Sequence, residues 1–348
     1  MLFRSWRTYV VQMEESEKHK EVSAQLLRHA KDESDPVPHV VAHYAAGFTS
    51  LVIAQFSAAA DHLQEGIRHY TSGDRDTAEV YRFGQDPGVA CRCYLAMVDW
   101  VMGYPDRARR HAAEGLALAK QLDDPFSLAF ALAFASWVDQ LRDDRKAILQ
   151  KTEEAIRLAT EKGFPYWLSI AKVMEGWAQS ATDPVQATIQ RLRERVASHC
   201  ALGTNLFMPS FLALVGDVAL KANQIEECGT VLDEAEAFLK RTGERWWESE
   251  IHRLRGELLL AQGANYAEAE GRFEKALAFA RKRGAKSFEL RTAMSLARLR
   301  QRQGKRHAGR QMLAAVYSGF SEGFETADLQ AAHALLGELD TSGAEVAR

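Results

Sequence analysis

Cysteine is scarce in this chain, and its four cysteines form no pair at metal-binding or redox spacing. Cys91 and Cys93 lie two positions apart, where a helix points side chains in different directions, and Cys200 and Cys228 lie far from both. Without a C-x-x-C motif, neither a zinc ribbon nor a thioredoxin-type site is predicted. We interpret all four as small buried hydrophobic residues in a reducing compartment.

The sequence also lacks a recognisable secretory leader and a membrane span. Its first stretch, MLFRSWRTYVVQMEESEKHK, carries charges too early and too often for a signal peptide. The longest stretch without Asp, Glu, Lys or Arg covers 36–60, but it contains two prolines and two histidines. A transmembrane helix needs about 20 predominantly apolar residues. We therefore interpret this stretch as two helices that meet near Gln55, and we expect a cytoplasmic protein.

Catalytic motifs and a charge excess are absent as well. The formal net charge is −3, which favours neither acidic nor basic partners. Gly304-Lys305 is not a P-loop, because G-x-x-x-x-G-K would require glycine where Leu299 stands. There is no G-x-G-x-x-G, and nothing places a nucleophile on a strained turn. The sequence predicts no catalytic residue and no cofactor.

What the chain does contain is a period of 40 residues, carried by three series of residues. Small residues recur at Gly47, Ala96, Ser136, Gly176, Gly216, Gly256 and Ala297. Residues typical of turns recur at Gly103, Asp143, Asp183, Asn223, Gly263 and Gly304. Glycines that would end helices recur at Gly163, Gly203, Gly243 and Gly284. Three series in one register predict a helical repeat.

The helix boundaries are predicted from these turn and stop residues together with residues that favour helix starts. Asp-Pro occurs at 35–36, 86–87, 124–125 and 183–184. Asp accepts hydrogen bonds from the free amides of a helix start, and Pro suits the first helical position. The pattern predicts helices at 17–29, 86–102, 105–122, 124–142, 144–162, 164–181, 184–202, 205–222, 224–242, 244–262, 266–283, 285–303, 305–318 and 326–339, besides the two within 36–70.

The predicted fold is an all-α, tetratricopeptide-like superhelical solenoid of about seven to eight helix pairs. We expect a single domain over 1–340, with an irregular insertion loop at 71–85 and a frayed tail at 341–348. Small residues of each first helix should face large residues of the second, namely Leu63, Leu192, Leu232, Phe273 and Leu313. This arrangement resembles the tetratricopeptide pattern, lengthened from about 34 to about 40 residues.

A more specific resemblance rests on four stretches, at 81–108, 125–144, 243–260 and 284–336. They resemble the C-terminal tetratricopeptide region of large bacterial signalling proteins. In that family a class III adenylate/guanylate cyclase domain, or another output domain, precedes a signalling-type ATPase, and the helical arm follows. The resemblance implies a regulatory or sensor arm. It carries neither cyclase nor ATPase activity onto this chain, because the corresponding motifs are absent.

The first candidate site is the place where the insertion loop interrupts the array. Arg82, Gln85, Asp86, Arg92 and Tyr94 cluster there in the sequence. The arginines suit an anion or a peptide terminus. The alternative is that Asp86 caps a helix while Gln85 satisfies backbone groups of a tight loop.

The second candidate site is the concave groove, which the first helix of each pair should line. Its candidate residues are Trp100, Trp137, Trp167, Trp247 and Arg253. Aromatic residues and arginines suit a protein or peptide partner. The alternative is that these tryptophans are core residues, which is the commoner role of a tryptophan at helical spacing.

Two further patterns are weaker. His39 and His43 lie one helical turn apart, but no third ligand is apparent near them, so we predict no metal site. The segment from Arg281 to Arg310 contains eleven basic residues and only one acidic residue, Glu289. We interpret them as the solvated face of a helix pair, and we predict an acidic protein partner there more readily than nucleic acid.

The leading functional hypothesis is a non-enzymatic scaffold that binds a protein or peptide in bacterial signalling. One alternative is a sensor that binds a small effector in the concave channel. Another is that the chain belongs to a nucleotide cyclase or ATPase polypeptide whose catalytic domains lie elsewhere. Self-association is also open, because apolar residues at 2–11 would be exposed if the chain starts at Met1.

Overall fold

The computed structural model describes residues 16–70, 84–182 and 185–341, and its regular structure in these ranges is entirely helical. The helices are α1 Ser16–Ala30, α2 Pro36–Val52, α3 Phe56–His69, α4 Pro87–Val101, α5 Pro105–Gln121, α6 Pro125–Leu141, α7 Arg145–Lys162, α8 Pro165–Gln179, α9 Val185–Cys200, α10 Met208–Lys221, α11 Ile225–Thr242, α12 Glu248–Ala261, α13 Tyr266–Arg283, α14 Lys286–Arg302, α15 Arg306–Tyr317 and α16 Ala327–Thr341. No helix in these ranges is long and apolar enough to cross a membrane.

The helices from α2 to α15 form seven consecutive pairs, with α1 before them and α16 after them. The predicted all-α helical-repeat fold is confirmed. First helices such as α4 and α6 are buried on almost every side, whereas second helices such as α5 and α7 bury one stripe each. First helices therefore form the inner layer of the solenoid, and second helices form the outer layer.

The helix starts predicted from Asp-Pro are confirmed wherever the structure describes them. Asp35, Asp86 and Asp124 each accept a hydrogen bond from a backbone amide in the first turn of the following helix. The pair at 183–184 lies outside the described residues. At the turns, Asp143 and Asn223 have φ of 59° and 58°, a conformation that short polar side chains tolerate.

The predicted interlocking of small and large residues is also confirmed. A Cβ atom added to Gly256 would lie 2.5 Å from the ring of Phe273, and one added to Gly216 would lie 3.2 Å from Leu232. These glycines let the two helices of a pair approach closely enough for the opposite side chain to fill the space between them.

Two first helices begin later than predicted, α10 at Met208 rather than 205 and α12 at Glu248 rather than 244. The entries to both helices are held by non-helical contacts. The Glu244 carboxyl group accepts hydrogen bonds from the Phe207 backbone amide at 2.9 Å and from the Trp246 indole at 2.7 Å. Because these donors are satisfied by tertiary contacts, the chain can stay irregular there at no cost in buried polar groups.

The superhelix closes on itself through contacts between its two halves. The backbone amides of Arg245 and Trp246 donate to the Val52 carbonyl. The Ser287 hydroxyl donates to the carbonyl of Trp100, 187 residues earlier in the sequence. Closure brings the inner helices together around an aromatic centre. Among the side chains packed in this centre are Tyr94, Phe134, Trp137, Trp167, Phe207, Phe211 and Trp246.

Candidate functional site: a cavity on the inner helices

A cavity of about 190 Å³ opens between the inner helices α6, α8, α10, α12 and α14. Its wall also includes the turn after α6 and the first turn of α16. The residues that line it are Gln140, Asp143, Trp177, Ala213, Leu214, Asp217, Lys221, Trp247, Glu250, Arg253, Leu254, Arg291, Met294, Ser295, Arg298 and Asp328. The cavity therefore lies on the concave side, where the sequence placed the groove, and two predicted site residues, Trp247 and Arg253, belong to it.

A chain of charged side chains forms one wall of the cavity. Glu250 binds Arg253 through both carboxylate oxygens, at 2.7 and 3.0 Å. Arg291 lies 3.8 Å from the same carboxylate and donates to Asp328 at 2.8 Å. These side chains are between 6% and 27% exposed. Charge-assisted, bidentate pairs of this kind hold their members in fixed positions.

The charge of Glu250 is maintained by its neighbours. Burial alone raises the pKa of a carboxyl group, but Arg253 and Arg291 outweigh it, so the pKa of Glu250 lies below its usual range. Glu250 is therefore ionised at neutral pH, opposite Arg253 and Arg291.

Trp100 lies behind this network. It is 2% exposed, and the Arg291 guanidinium lies 4.7 Å from the centre of its ring. Trp100 also packs edge-on against Phe288, which in turn packs against Trp247. Trp100 thus supports a cavity residue without lining the cavity itself.

Two buried polar atoms in the cavity wall have no hydrogen-bond partner within the described part of the chain. They are the side-chain oxygen of Gln140 and the indole nitrogen of Trp177, and both residues are 3% exposed. Buried polar groups are almost always hydrogen-bonded, and leaving one unsatisfied costs about 1–3 kcal/mol. An acceptor and a donor therefore stand unused in the cavity wall.

The rim of the cavity carries one more feature. Arg298 is exposed and forms no ion pair with any residue that the structure describes. Lys221, on the same rim, is paired with Asp217 at 2.7 Å. Arg298 is thus a guanidinium at the cavity mouth that is not already engaged.

The other two predicted groove tryptophans lie in the core. Trp137 is fully buried against Phe211 and Trp246, and Trp167 is 6% exposed and packs on Phe130. Their positions correspond to the core interpretation that the sequence left open, and neither residue lines the cavity.

The residues predicted around the insertion loop form a separate group at the start of α4. Asp86 caps this helix, while the Gln85 side-chain amide donates to the Tyr44 hydroxyl at 2.6 Å. Arg92 donates to the Gly88 carbonyl at 3.0 Å, and Tyr94 is 4% exposed in the core. The cap formed by Asp86 corresponds to the structural alternative, whereas Gln85 binds a tyrosine hydroxyl rather than backbone groups of the loop. None of these four residues lines the cavity. Arg82 and the loop residues 71–83 lie outside the described residues.

Sequence reasoning missed three members of the network, Glu250, Arg291 and Asp328. A local signal existed for the first, because Glu250 and Arg253 stand three residues apart on one helix face. Arg291 was counted within the basic stretch, several members of which prove to be paired. Arg281 binds Glu289, Arg300 lies 3.8 Å from Glu270, and Arg310 binds Asp340.

The sequence matches no protein-family model and no curated protein. Several solved structures do share its architecture. A Rap protein complexed with competence and sporulation factor matches with a TM-score of 0.63 and 11% identity, over 92% of this chain and 82% of that chain. The Rap conjugation gene regulator of plasmid pLS20, in complex with the Phr* peptide, matches with a TM-score of 0.59 and 11% identity, over 97% of this chain and 94% of that chain.

A third similar structure is aspartyl phosphate phosphatase F from Bacillus subtilis, with a TM-score of 0.53 and 11% identity, over 85% of this chain and 74% of that chain. At such identities the likeness shows a shared fold, here a tetratricopeptide-like helical repeat. One of these neighbours is by its name a phosphatase, so the fold alone does not separate enzymes from binding scaffolds.

Proposed function

We propose that the chain is a non-enzymatic scaffold that binds a partner protein through a peptide segment, one side chain or terminus of which enters the cavity between α6 and α14. The observation that carries the proposal is the pair of unsatisfied polar atoms on Gln140 and Trp177, set beside an ionised Arg–Glu network. An occupant with one donor and one acceptor would satisfy both atoms.

The size of the cavity favours a peptide over a small effector. Pockets for drug-sized ligands measure about 300–1,000 Å³, whereas this cavity measures about 190 Å³. It accommodates one amino-acid side chain or a terminal group, and the rest of the ligand would extend along the rim past Arg298. The small-effector sensor remains the second candidate for ligands of that limited size.

The likeness to known structures supports the same conclusion by analogy. Two proteins of this fold are in complex with competence and sporulation factor and with the Phr* peptide. The likeness concerns the fold, so the chemistry of the ligand must be argued from the cavity of this chain.

The finer family assignment is also part of the proposal. The stretches at 81–108, 125–144, 243–260 and 284–336 support a regulatory arm of a cytoplasmic cyclase or signalling-type ATPase system. In such an arm, binding in the cavity would be relayed as a change in superhelix curvature.

The proposal is tested by selecting displayed random peptides against the full chain and comparing variants of matched charge. Arg298→Glu reverses a charge at the cavity mouth, whereas Arg110→Glu makes the same change on the outer helix α5. We expect selected peptides to bind the Arg298→Glu variant at least tenfold more weakly than the wild type and the Arg110→Glu variant equally well. Peptides that bind all three proteins equally would show that the cavity is not the binding site.

A second variant separates binding from folding. Gln140→Met keeps the approximate size of the side chain and removes the unsatisfied oxygen. Because that oxygen is costly only while it lacks a partner, the variant should gain about 1 kcal/mol of stability and lose peptide affinity. A variant that is both less stable and unchanged in binding would contradict a ligand-directed role for Gln140.

A further inference from the structure

Five side chains with metal-ligating chemistry meet where the start of α2 packs against the end of α3. His39 and His43 stand one turn apart on α2, and His62, Glu65 and His69 lie on one face of α3. Because the two helices form a hairpin, the beginning of the first lies beside the end of the second. The sequence showed only the first histidine pair; the remaining groups come from the neighbouring helix.

The ligand atoms of His43, Glu65 and His69 all lie within 4.8 Å of one another. His69 Nε2 lies 3.0 Å from Glu65 Oε1. His43 Nδ1 lies 3.2 Å from His62 Nδ1. Two ligands bound to one zinc ion at about 2.0–2.1 Å in tetrahedral geometry are about 3.3–3.4 Å apart. Two of the ligand–ligand distances are therefore close to the value required for zinc, and rotation of the partly exposed side chains has to shorten the others.

We propose that His43, Glu65 and His69, with His62 as the fourth ligand, bind a divalent transition-metal ion of the zinc type that links α2 to α3. Imidazole and carboxylate donors in this number suit Zn²⁺ and its neighbours in the transition series. The site is separate from the cavity on the inner helices, and the proposal does not depend on peptide binding there.

The surroundings orient the ligands. His39 Nε2 lies 2.9 Å from the Glu33 carbonyl, which can only accept, so this nitrogen carries the proton. The His39 ring is stacked on the His69 ring with centres 4.8 Å apart. The stacked His39 ring limits how far the His69 ring can turn. Arg68 pairs with Glu65, but its side chain is 73% exposed and can turn into solvent when an ion binds.

The test uses the full chain without an affinity tag, stripped of metal and titrated with Zn²⁺ by calorimetry and with Co²⁺ by visible absorption. We expect one equivalent to bind, and an intense Co²⁺ spectrum typical of tetrahedral coordination. His69→Ala changes a partly exposed residue and should weaken binding by at least about tenfold. His43→Gln should do the same.

The matched control is His307→Ala, because His307 is an exposed histidine on α15. This variant should bind the ion as the wild type does. Zn²⁺ should also raise the melting temperature of the wild type and of His307→Ala, but not that of His69→Ala. The proposal is overturned if the wild type shows no saturable one-to-one binding, or if His69→Ala binds with unchanged affinity.

Discussion

The close approach of paired helices allows a quantitative prediction of how alanine substitutions at two glycines of one repeat change stability. Gly256 lies on α12 and Gly271 on α13, both in helix interiors. A Cβ atom on Gly256 would lie 2.5, 2.7 and 2.8 Å from three ring atoms of Phe273, whereas one on Gly271 would meet nothing within 4 Å. Replacing glycine by alanine in a helix interior is worth about 1 kcal/mol in helix propensity at either site. The two substitutions therefore differ only in packing.

Ordinary Cβ contacts begin near 3.4 Å, so the Phe273 ring would have to retreat by roughly 1 Å. The ring is completely buried and cannot turn into solvent. Overpacking of a core costs about 1–3 kcal/mol. We expect Gly271→Ala to stabilise the protein by about 0.5–1 kcal/mol, and Gly256→Ala to be about 1–3 kcal/mol less stable than Gly271→Ala.

The assay is urea unfolding followed by far-ultraviolet circular dichroism, with midpoints compared between variants. Gly216→Ala is the intermediate case, because its Cβ atom would lie 3.2 Å from Leu232. Its midpoint should fall between the other two. Equal midpoints for Gly256→Ala and Gly271→Ala would refute the view that the small residues of the repeat are there to admit the opposite helix.

Two further predictions concern buried glutamate side chains. Burial raises the pKa of Glu244 to about 8, against the opposing effect of hydrogen bonds from Phe207 and Trp246. A carboxyl group protonated in the folded state and ionised in the unfolded one contributes stability that is complete below about pH 4.5 and is lost as the pH rises to about 8. Relative to Glu244→Gln, the wild type should lose up to about 1.4 kcal/mol per pH unit in that window; parallel pH profiles of urea midpoints would contradict this. Glu250→Ala leaves Arg253 without its bidentate partner and should cost about 3 kcal/mol, whereas Glu257→Ala, whose carboxylate lies 3.9 Å from Arg253, should cost less than about 1 kcal/mol. Equal urea midpoints for these two variants would show that the network is not stabilising.

The repeat could be predicted from the sequence because its determinants are local. An Asp-Pro start, a turn residue with positive φ and a small residue opposite a large one all act within one helix pair. The late start of α12 could not be predicted from the local sequence. Just before this helix, the backbone amides of Arg245 and Trp246 donate to the carbonyl of Val52, which belongs to the first half of the chain. Nothing in the local pattern at Gly243 marks that contact.

For the candidate sites too, the features that depend on local sequence could be predicted, and those that depend on packing between distant helices could not. The sequence predicted Arg253 and Trp247 on the inner helices, because inner-helix positions recur with the repeat, and both residues line the cavity. It could not place Asp328 beside Arg291, because that pairing depends on where α16 packs. For the histidines, His39 and His43 were visible as a pair, but a partner for them required knowing that the end of α3 returns to the start of α2.

Arg291 connects the wall of the cavity to the contacts that close the superhelix. Its guanidinium donates to the Leu141 carbonyl, 150 residues earlier, at 3.0 Å and to Asp328 at 2.8 Å, while lying over Trp100. One side chain thus ties α14 to the end of α6, to α16 and to α4. In the proposed scaffold, a ligand group that engages Glu250 or Arg291 would compete with these contacts. Because packed helix interfaces shift as units rather than deform continuously, occupancy of the cavity would then act on the contacts that hold the two halves of the solenoid together.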